Sequence, residues 1–160
     1  MLPDLGELII HEHQVIDGLL DALGADRDDR FLLAHRLIDE AAAHIVAEQQ
    51  VFYPALRDIV PGGSAMADRG QDEHRRLREA LGQLEDAYPG DDDFEAAAAA
   101  VGALMAEHAH HQESAVIPAL ADVIGPMAMT EMGAVYSSVR LNTPSGLQGL
   151  APDNPGPQFR

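Results

Sequence analysis

The stretch HIVAEQQVFYP, residues 44–54, places His44 and Glu48 one helical turn apart. At about 100° per residue, both lie on the stripe that carries the apolar side chains of this segment. Those apolar residues are Leu37, Ala41, Val51 and Ala55. A carboxylate on a buried stripe is costly unless a counter-charge or a metal pairs with it. The stretch therefore predicts an amphipathic helix with an ion pair or a metal ligand on its buried face.

The composition fits one folded domain and argues against several classes of function. The chain has 160 residues, of which 46% are apolar, 4% are aromatic and none is cysteine. A formal net charge of −17 argues against nucleic acid and anionic membranes as partners. The absence of cysteine excludes disulfides, thiolate nucleophiles and sulfur-based metal sites. Because the N-terminus lacks a signal peptide and no apolar stretch reaches the about 20 residues of a membrane span, we expect a cytoplasmic protein.

Glycine, proline and acidic residues divide the chain into four amphipathic helices without strand patterns. They are predicted from Asp4 to about Leu23, from Arg30 to about Asp58, from a Ser64 cap to about Tyr88, and from Asp91–Asp93 to about Ile124. Short connections between long helices predict an all-α, up-down-up-down four-helix bundle over residues 1–125.

Two further segments follow the predicted bundle. Pro126 can open a short accessory helix over residues 126–141, with Met132, Val135, Tyr136 and Val139 on one face. We expect this fifth helix to pack on the bundle. Residues 142–160 are rich in proline and glycine and are predicted to be an extended tail. Contact with a protein partner or a second copy of the chain through this helix and tail is the alternative.

The chain contains an internal repeat. HIVAEQQVFYPALRDIV (44–60) aligns with HAHHQESAVIPALADVI (108–124), which pairs His44 with His108. EHQVIDGLLDAL (12–23) aligns with EHRRLREALGQL (73–84), which pairs His13 with His74. Four histidines at corresponding places in four helices are expected to converge in the bundle interior.

A single histidine on an apolar face is more often a hydrogen-bonded core residue than a ligand. Four on facing stripes, together with Glu48, favour a metal site, because a buried polar network must be fully satisfied. Imidazole and carboxylate without sulfur fit iron, manganese or zinc. Helix bundles hold paired iron or manganese between facing helices, so we expect two metal ions with an oxo or hydroxo bridge. Coordination positions left open would accept water, dioxygen or peroxide.

The second carboxylate ligand is less direct. Gln112 occupies the position that matches Glu48, and Glu113 follows it. Glu113 lies about 140° around the helix from His108 and needs a local widening or π-bulge to point inward. We predict Glu113 as the ligand, with Gln112 as an additional group near the site.

These motifs, in the order H, HxxxE, H, HxxxxE over roughly residues 5–124, resemble the hemerythrin-like HHE cation-binding family. The resemblance implies a four-helix bundle around a non-haem di-iron centre. It implies the metal ligands His13, His44, Glu48, His74, His108 and Glu113.

The chain also departs from the oxygen-carrying hemerythrins. Arg78 stands where these have the second histidine of HxxxH on the third helix, which argues against a reversible dioxygen carrier of that kind and leaves room for a bound small anion. His111 is the best reserve ligand or group behind the ligands. His11 and His35 are expected to be exposed.

Three functions remain open at this point. The first is a di-iron protein that senses dioxygen or peroxide or decomposes peroxide as a catalase-like enzyme. The second is an iron-binding, sensing or storage module without turnover. The third is a structural helical domain whose histidines form a hydrogen-bonded network without metal. No phosphate-binding loop or activated serine indicates hydrolysis.

Overall fold

The computed structural model describes residues 1–25 and 28–147, and these residues form helices without a strand. The helices are α1 (Leu5–Gly24), α2 (Arg30–Ala47), α3 (Tyr53–Ile59), α4 (Gly63–Asp86), α5 (Asp92–His111) and α6 (Ile117–Leu141). Two π-helical segments, Glu48–Phe52 and Gln112–Val116, join α2 to α3 and α5 to α6. The all-α prediction is confirmed, with four long helical units; their up-down-up-down order stays a prediction.

Local sequence signals explain where the helices begin. Asp4 accepts a 2.9 Å hydrogen bond from the Glu7 backbone, and Glu7 accepts one from Asp4, which forms a capping box for α1. The predicted Ser64 cap is not used. Gly62 precedes α4 with φ 75°, a left-handed conformation that glycine adopts without strain, and the helix begins at Gly63.

Each π-segment lies just before a proline. Pro54 and Pro118 fall in the first turn of α3 and α6. A proline inside a regular helix lacks the backbone N–H and clashes with the preceding turn, but it is tolerated in a first turn. The π-segments therefore let each helix continue past its proline, and they begin at Glu48 and Gln112, the paired positions of the repeat.

The core consists of two apolar clusters with a polar layer between them. One cluster contains Ile16, Leu37 and Leu81, and the other contains Ile9, Phe52 and Leu120. The buried polar side chains interrupt this core at matching heights. They are Glu12, His13, His44, Glu48, Glu73, His74, His108 and Gln112.

The predicted break before a fifth helix is seen as a kink. Gly125 has non-helical angles (φ 75°, ψ 174°), and α6 continues beyond it to Leu141. A separate fifth helix is therefore not established. The predicted tail begins at Asn142, which ends α6, and its residues from 148 onward lie outside the described part of the chain.

One helical stretch, Asp92–Leu141, contains an 18-residue window with a mean hydropathy of 1.3. This stretch is long and apolar enough to cross a membrane, but the core helix of a soluble protein can have the same length and composition. One such helix is weak evidence, so the predicted absence of a membrane partner stays a prediction.

Candidate metal centre

Four histidines from four different helices meet in the polar layer. His44 and His74 are fully buried, His108 is 1% exposed and His13 is 5% exposed. The ring centroid of His44 lies 5.0 Å from that of His13 and 5.6 Å from that of His108. The centroids of His74 and His108 are 5.1 Å apart. The predicted convergence of the four repeat histidines is present in the structure.

Glu48 lies among these rings and is fully buried. Its Oε1 is 3.4 Å from His44 Nε2, and its Oε2 is 2.9 Å from His74 Nε2 and 3.4 Å from His108 Nε2. One ligand atom from each of His13, His44, Glu48 and His108 lies within 4.8 Å of the others. The two oxygens of Glu48 thus face different histidines, as a bridging carboxylate does.

Three of the histidines are held from behind by carboxylates. The Nδ1 atoms of His44, His108 and His13 lie 2.8 Å from oxygens of their respective partners, which are Glu12, Glu73 and Glu113. An ionised carboxylate only accepts hydrogen bonds, so each Nδ1 carries a proton and Nε2 is the ring nitrogen left to face the interior. Metal-ligating histidines are commonly oriented in this way.

The two EH pairs explain part of this arrangement. In each half of the repeat, the glutamate before the first histidine holds the histidine of the next repeat helix: Glu12 holds His44, and Glu73 holds His108. The repeat pairs Glu12 with Glu73, but no role was predicted for these glutamates. The alignment that paired His13 with His74 is the signal that could have identified them.

Gln112, and not Glu113, lies on the interior face of the second π-segment. Gln112 is 2% exposed, and its Nε2 donates a 2.9 Å hydrogen bond to Glu48 Oε2. The Glu113 side chain is 40% exposed and reaches His13 from outside. The predicted π-helical widening is present, but it begins at Gln112. Gln112 therefore stays one turn after His108 on the buried face of the helix. Ligation by Glu113 remains a prediction that this position does not favour.

Two tyrosines at the site were not predicted to belong to it. Tyr53 OH lies 3.1 Å from both Glu48 Oε2 and His74 Nε2. Tyr136 OH donates a 2.6 Å hydrogen bond to Glu12 Oε2. Tyr53 follows Glu48 by five residues, which is the spacing joined by a π-helical hydrogen bond, and its backbone N–H bonds to the Glu48 carbonyl. The repeat gave no signal for Tyr53, because the corresponding position in the second half is Ile117.

The remaining predicted residues are peripheral. His111 is partly buried, with Nδ1 3.8 Å from Glu73 Oε1, so it lies behind the ligands. Arg78 is half-buried, and its Nε has no hydrogen-bond partner in the described part of the chain. His11 and His35 are exposed, as expected.

The electrostatics divide the histidines into two kinds. Burial lowers the pKa of His13 and of His74 to about 4. Burial also acts against the charged form of His108, but Glu48 and Glu73 outweigh it and raise the pKa to about 9. Burial would raise the pKa of Glu48, yet the neighbouring His44 and His108 hold it well below its usual range. The protein interior thus favours one carboxylate at the centre and a positive charge beside it.

The side chains fit a metal better than a closed hydrogen-bond network. His44 Nε2 and His108 Nε2 lie 3.3 Å apart, while both Nδ1 protons are directed at carboxylates. Two neutral rings would oppose their lone pairs, so this contact needs either a proton, which the raised pKa of His108 favours, or a metal ion. Within the described residues, several buried atoms of this group have no hydrogen-bond partner, namely His13 Nε2, Glu48 Oε1, His74 Nδ1 and Gln112 Oε1. A cation satisfies such lone pairs, and imidazole with carboxylate suits iron, manganese or zinc.

The comparisons with known proteins agree with this site. The Hemerythrin HHE cation binding domain matches residues 4–120. No curated protein matches the chain at a significant level. A crystal structure of a hemerythrin HHE cation binding domain-containing protein from Mycobacterium kansasii has 23% sequence identity and a TM-score of 0.74, and the match covers 89% of this chain and 90% of that one. This similarity shows the same fold. The family match spans most of the chain and includes all four histidines, so the chain belongs to the Hemerythrin HHE cation binding domain family.

Proposed function

We propose that this protein holds a pair of non-haem iron ions and reacts with dioxygen or peroxide, by sensing or by catalase-like decomposition. The observation that carries the proposal is the convergence of four buried ligand atoms, from His13, His44, Glu48 and His108, within 4.8 Å. Buried polar atoms without a partner, such as His13 Nε2 and Glu48 Oε1, destabilise a protein core. Their presence here therefore supports a bound cation as the partner.

The two oxygens of Glu48 suggest how two ions would be shared. His13, His44 and His108 would hold one ion together with Glu48. His74 and Tyr53 would hold the second, because both contact the same carboxylate. Tyr53 is thus a candidate for the donor that is missing where Arg78 replaces a histidine.

Bound iron would supply the redox chemistry by which dioxygen or peroxide is bound or reduced. The chain itself orients the ligands through Glu12 and Glu73 and buries them between the two apolar clusters. A pocket of about 170 Å³ between α1 and α5 reaches His13 beside Gln14 and Glu113. Its size suits molecules such as dioxygen and peroxide and not a large organic substrate.

An iron-binding, sensing or storage module without turnover is the second candidate. Gln112 favours it, because a neutral amide occupies the place of a second bridging carboxylate and donates to Glu48. Neutral ligands leave a second ion more weakly held, and a readily lost ion suits a sensor or a carrier of iron.

The metal content per chain tests the proposal. Protein from iron-supplied cells is analysed by plasma mass spectrometry beside a His44→Leu variant and a His35→Leu control, since His35 is exposed. Two irons per chain, lost in His44→Leu only, are expected. One iron would favour the binding module. No metal above background, with His44→Leu as stable as the parent, would leave a structural network.

Peroxide consumption then separates the two metal-binding candidates. The enzyme should keep its iron through many turnovers. A sensor or storage module should release iron to a ferrous chelator and consume no peroxide beyond the rate of free iron.

A further inference from the structure

The end of α6 reaches the centre from outside the family match. Tyr136 and Arg140 lie beyond residue 120, where that match ends. Tyr136 is fully buried, and its hydroxyl donates to Glu12 Oε2 at 2.6 Å. Arg140 Nε lies 2.6 Å from Glu12 Oε1, an ion pair in which the N–H is not aligned for a hydrogen bond, and Arg140 also pairs with Glu40. Both oxygens of Glu12 are therefore engaged by one segment.

Glu12 in turn holds His44. The oxygen that accepts from Tyr136 lies 2.8 Å from His44 Nδ1. A carboxylate that is hydrogen-bonded at one oxygen and paired with a guanidinium at the other resists rotation away from the imidazole, which favours one ring orientation with the proton on Nδ1. The chain of contacts runs from α6 through Glu12 to the ligand atom His44 Nε2.

The other half of the repeat lacks this arrangement. Glu73, the counterpart of Glu12, is paired with Arg69 of its own helix at 3.0 Å, and the Arg69 side chain is 53% exposed. A solvent-exposed pair contributes little rigidity. The support behind His44 is thus stronger than the support behind His108, although the repeat makes the histidines equivalent.

Close packing fixes the segment that carries the two residues. A Cβ placed on Gly133 would lie 2.7 Å from the Pro3 carbonyl oxygen, so only glycine lets α6 approach the start of α1 this closely. Tyr136 follows Gly133 by three residues, which is about one helical turn. The helix is therefore held against α1 where Tyr136 enters.

We propose that Tyr136 and Arg140 are positioning residues, which fix Glu12 so that His44 presents its Nε2 lone pair to the centre. The consequence for a bound ion is slower release from the His44 side. That consequence rests on the proposed metal site, whereas the state of the His44 ring does not require a metal.

The test uses Tyr136→Phe, which removes only the hydroxyl, Arg140→Met, and the double variant, all in the full chain. Tyr88→Phe and Arg57→Met are the matched controls, because Tyr88 is exposed and Arg57 pairs with Asp68 on the surface. Nitrogen-15 spectra of the metal-free proteins report the His44 tautomer. In the double variant we expect a second population of His44 protonated on Nε2, while the controls keep protonation on Nδ1. Replacing Arg140→Met by Arg140→Lys in the double variant should restore most of the Nδ1-protonated population.

Iron release gives the second readout. With ferrous iron loaded and a ferrous chelator in excess, the double variant should lose iron about 10-fold faster than the parent. An unchanged His44 tautomer, with iron release within about twofold of the controls, would overturn the proposal. If the parent retains no iron, the proposed metal function fails, and the His44 spectra of the metal-free proteins still decide whether Tyr136 and Arg140 position Glu12.

Discussion

Gln112 donates a 2.9 Å hydrogen bond to Glu48 across the bundle, from the position that the repeat makes equivalent to Glu48 itself. The two residues begin the two π-segments, and both are buried. The repeat would allow a carboxylate at both positions. The interior instead carries one charged side chain, Glu48, and one neutral side chain, Gln112. This difference decides how much negative charge the centre offers to a metal.

Gln112→Glu should strengthen metal binding and weaken the metal-free fold. A second buried carboxylate near Glu48 Oε2 repels it, so we expect the free energy of unfolding of the metal-free protein to fall by about 2 kcal/mol or more. With iron supplied, the same charge becomes a ligand, and iron retained after dialysis should rise toward two per chain. Urea unfolding and metal analysis measure the two effects.

The matched control is Gln49→Glu, which adds the same charge to the first π-segment on a less buried residue. Gln49→Glu should change the unfolding free energy and the iron retained after dialysis by no more than a few tenths of the changes seen in Gln112→Glu. Equal iron retention in Gln112→Glu and the parent would show that this position does not contribute to the metal site.

Glu113→Gln distinguishes a ligand from a group behind a ligand. From its exposed position, Glu113 orients His13, so its loss should weaken iron binding about 10-fold while the stoichiometry at saturating iron stays the same. If Glu113 is itself a ligand, one iron per chain should be lost even at saturation. Titration with ferrous iron, followed by metal analysis, separates these results.

Gly70→Ala should displace Tyr53 from the centre. A Cβ on Gly70 would lie 2.5 Å from the Tyr53 ring carbon and hydroxyl, and the ring is 1% exposed and cannot yield easily. We expect a loss of about 1–3 kcal/mol in unfolding free energy, as for overpacking in a core, together with weaker iron binding.

Gly82→Ala serves as its control in the same helix. Among the described residues, no atom outside the adjoining turns of α4 lies within 4 Å of a Cβ at Gly82, so alanine should stabilise α4 by about 0.5–1 kcal/mol through helix propensity. Destabilisation by both substitutions, or by neither, would contradict the role assigned to the Gly70–Tyr53 contact.

The features that sequence reasoning predicted are those with a local period or a repeat. The buried stripe through His44 and Glu48 follows from helical spacing, and the alignment with residues 108–124 located His108. The helix ends at Gly24 and Ile59 follow from glycine and proline punctuation. Local chemistry suffices for these positions because the residues that determine them are neighbours in the chain.

The features that were missed depend on distance or on helix geometry. Tyr136 meets Glu12 across 124 residues, and this contact depends on the direction that α6 takes after Gly125. The choice between Gln112 and Glu113 depends on where the π-turn begins, a shift of one residue that the periodicity of an ideal helix does not define. The hydrogen bonds of Glu12 to His44 and of Glu73 to His108 were missed because they join residues that are distant in the chain.

The metal-free protein should lose stability in acid. Burial lowers the pKa of His13 and His74 to about 4 in the folded state, below the 6.5 of an ordinary histidine. Between pH 6.5 and 4, the unfolded chain therefore binds protons that the folded protein does not. The free energy of unfolding falls as the pH falls through this window. Urea unfolding of metal-free protein at pH 6.5, 5.5 and 4.5 measures the slope.

His108 should produce the opposite slope above pH 6.5. Glu48 and Glu73 outweigh burial and raise its pKa to about 9, so the folded protein holds a proton between pH 6.5 and 9 that the unfolded chain has released. Stability from this proton is complete below pH 6.5 and is lost as the pH rises toward 9. Metal-free protein should thus be most stable near pH 6.5. A bound cation replaces the proton at His108, so iron-loaded protein should lack the alkaline decline. If metal-free stability does not fall between pH 6.5 and 9, the carboxylates do not hold a proton on His108.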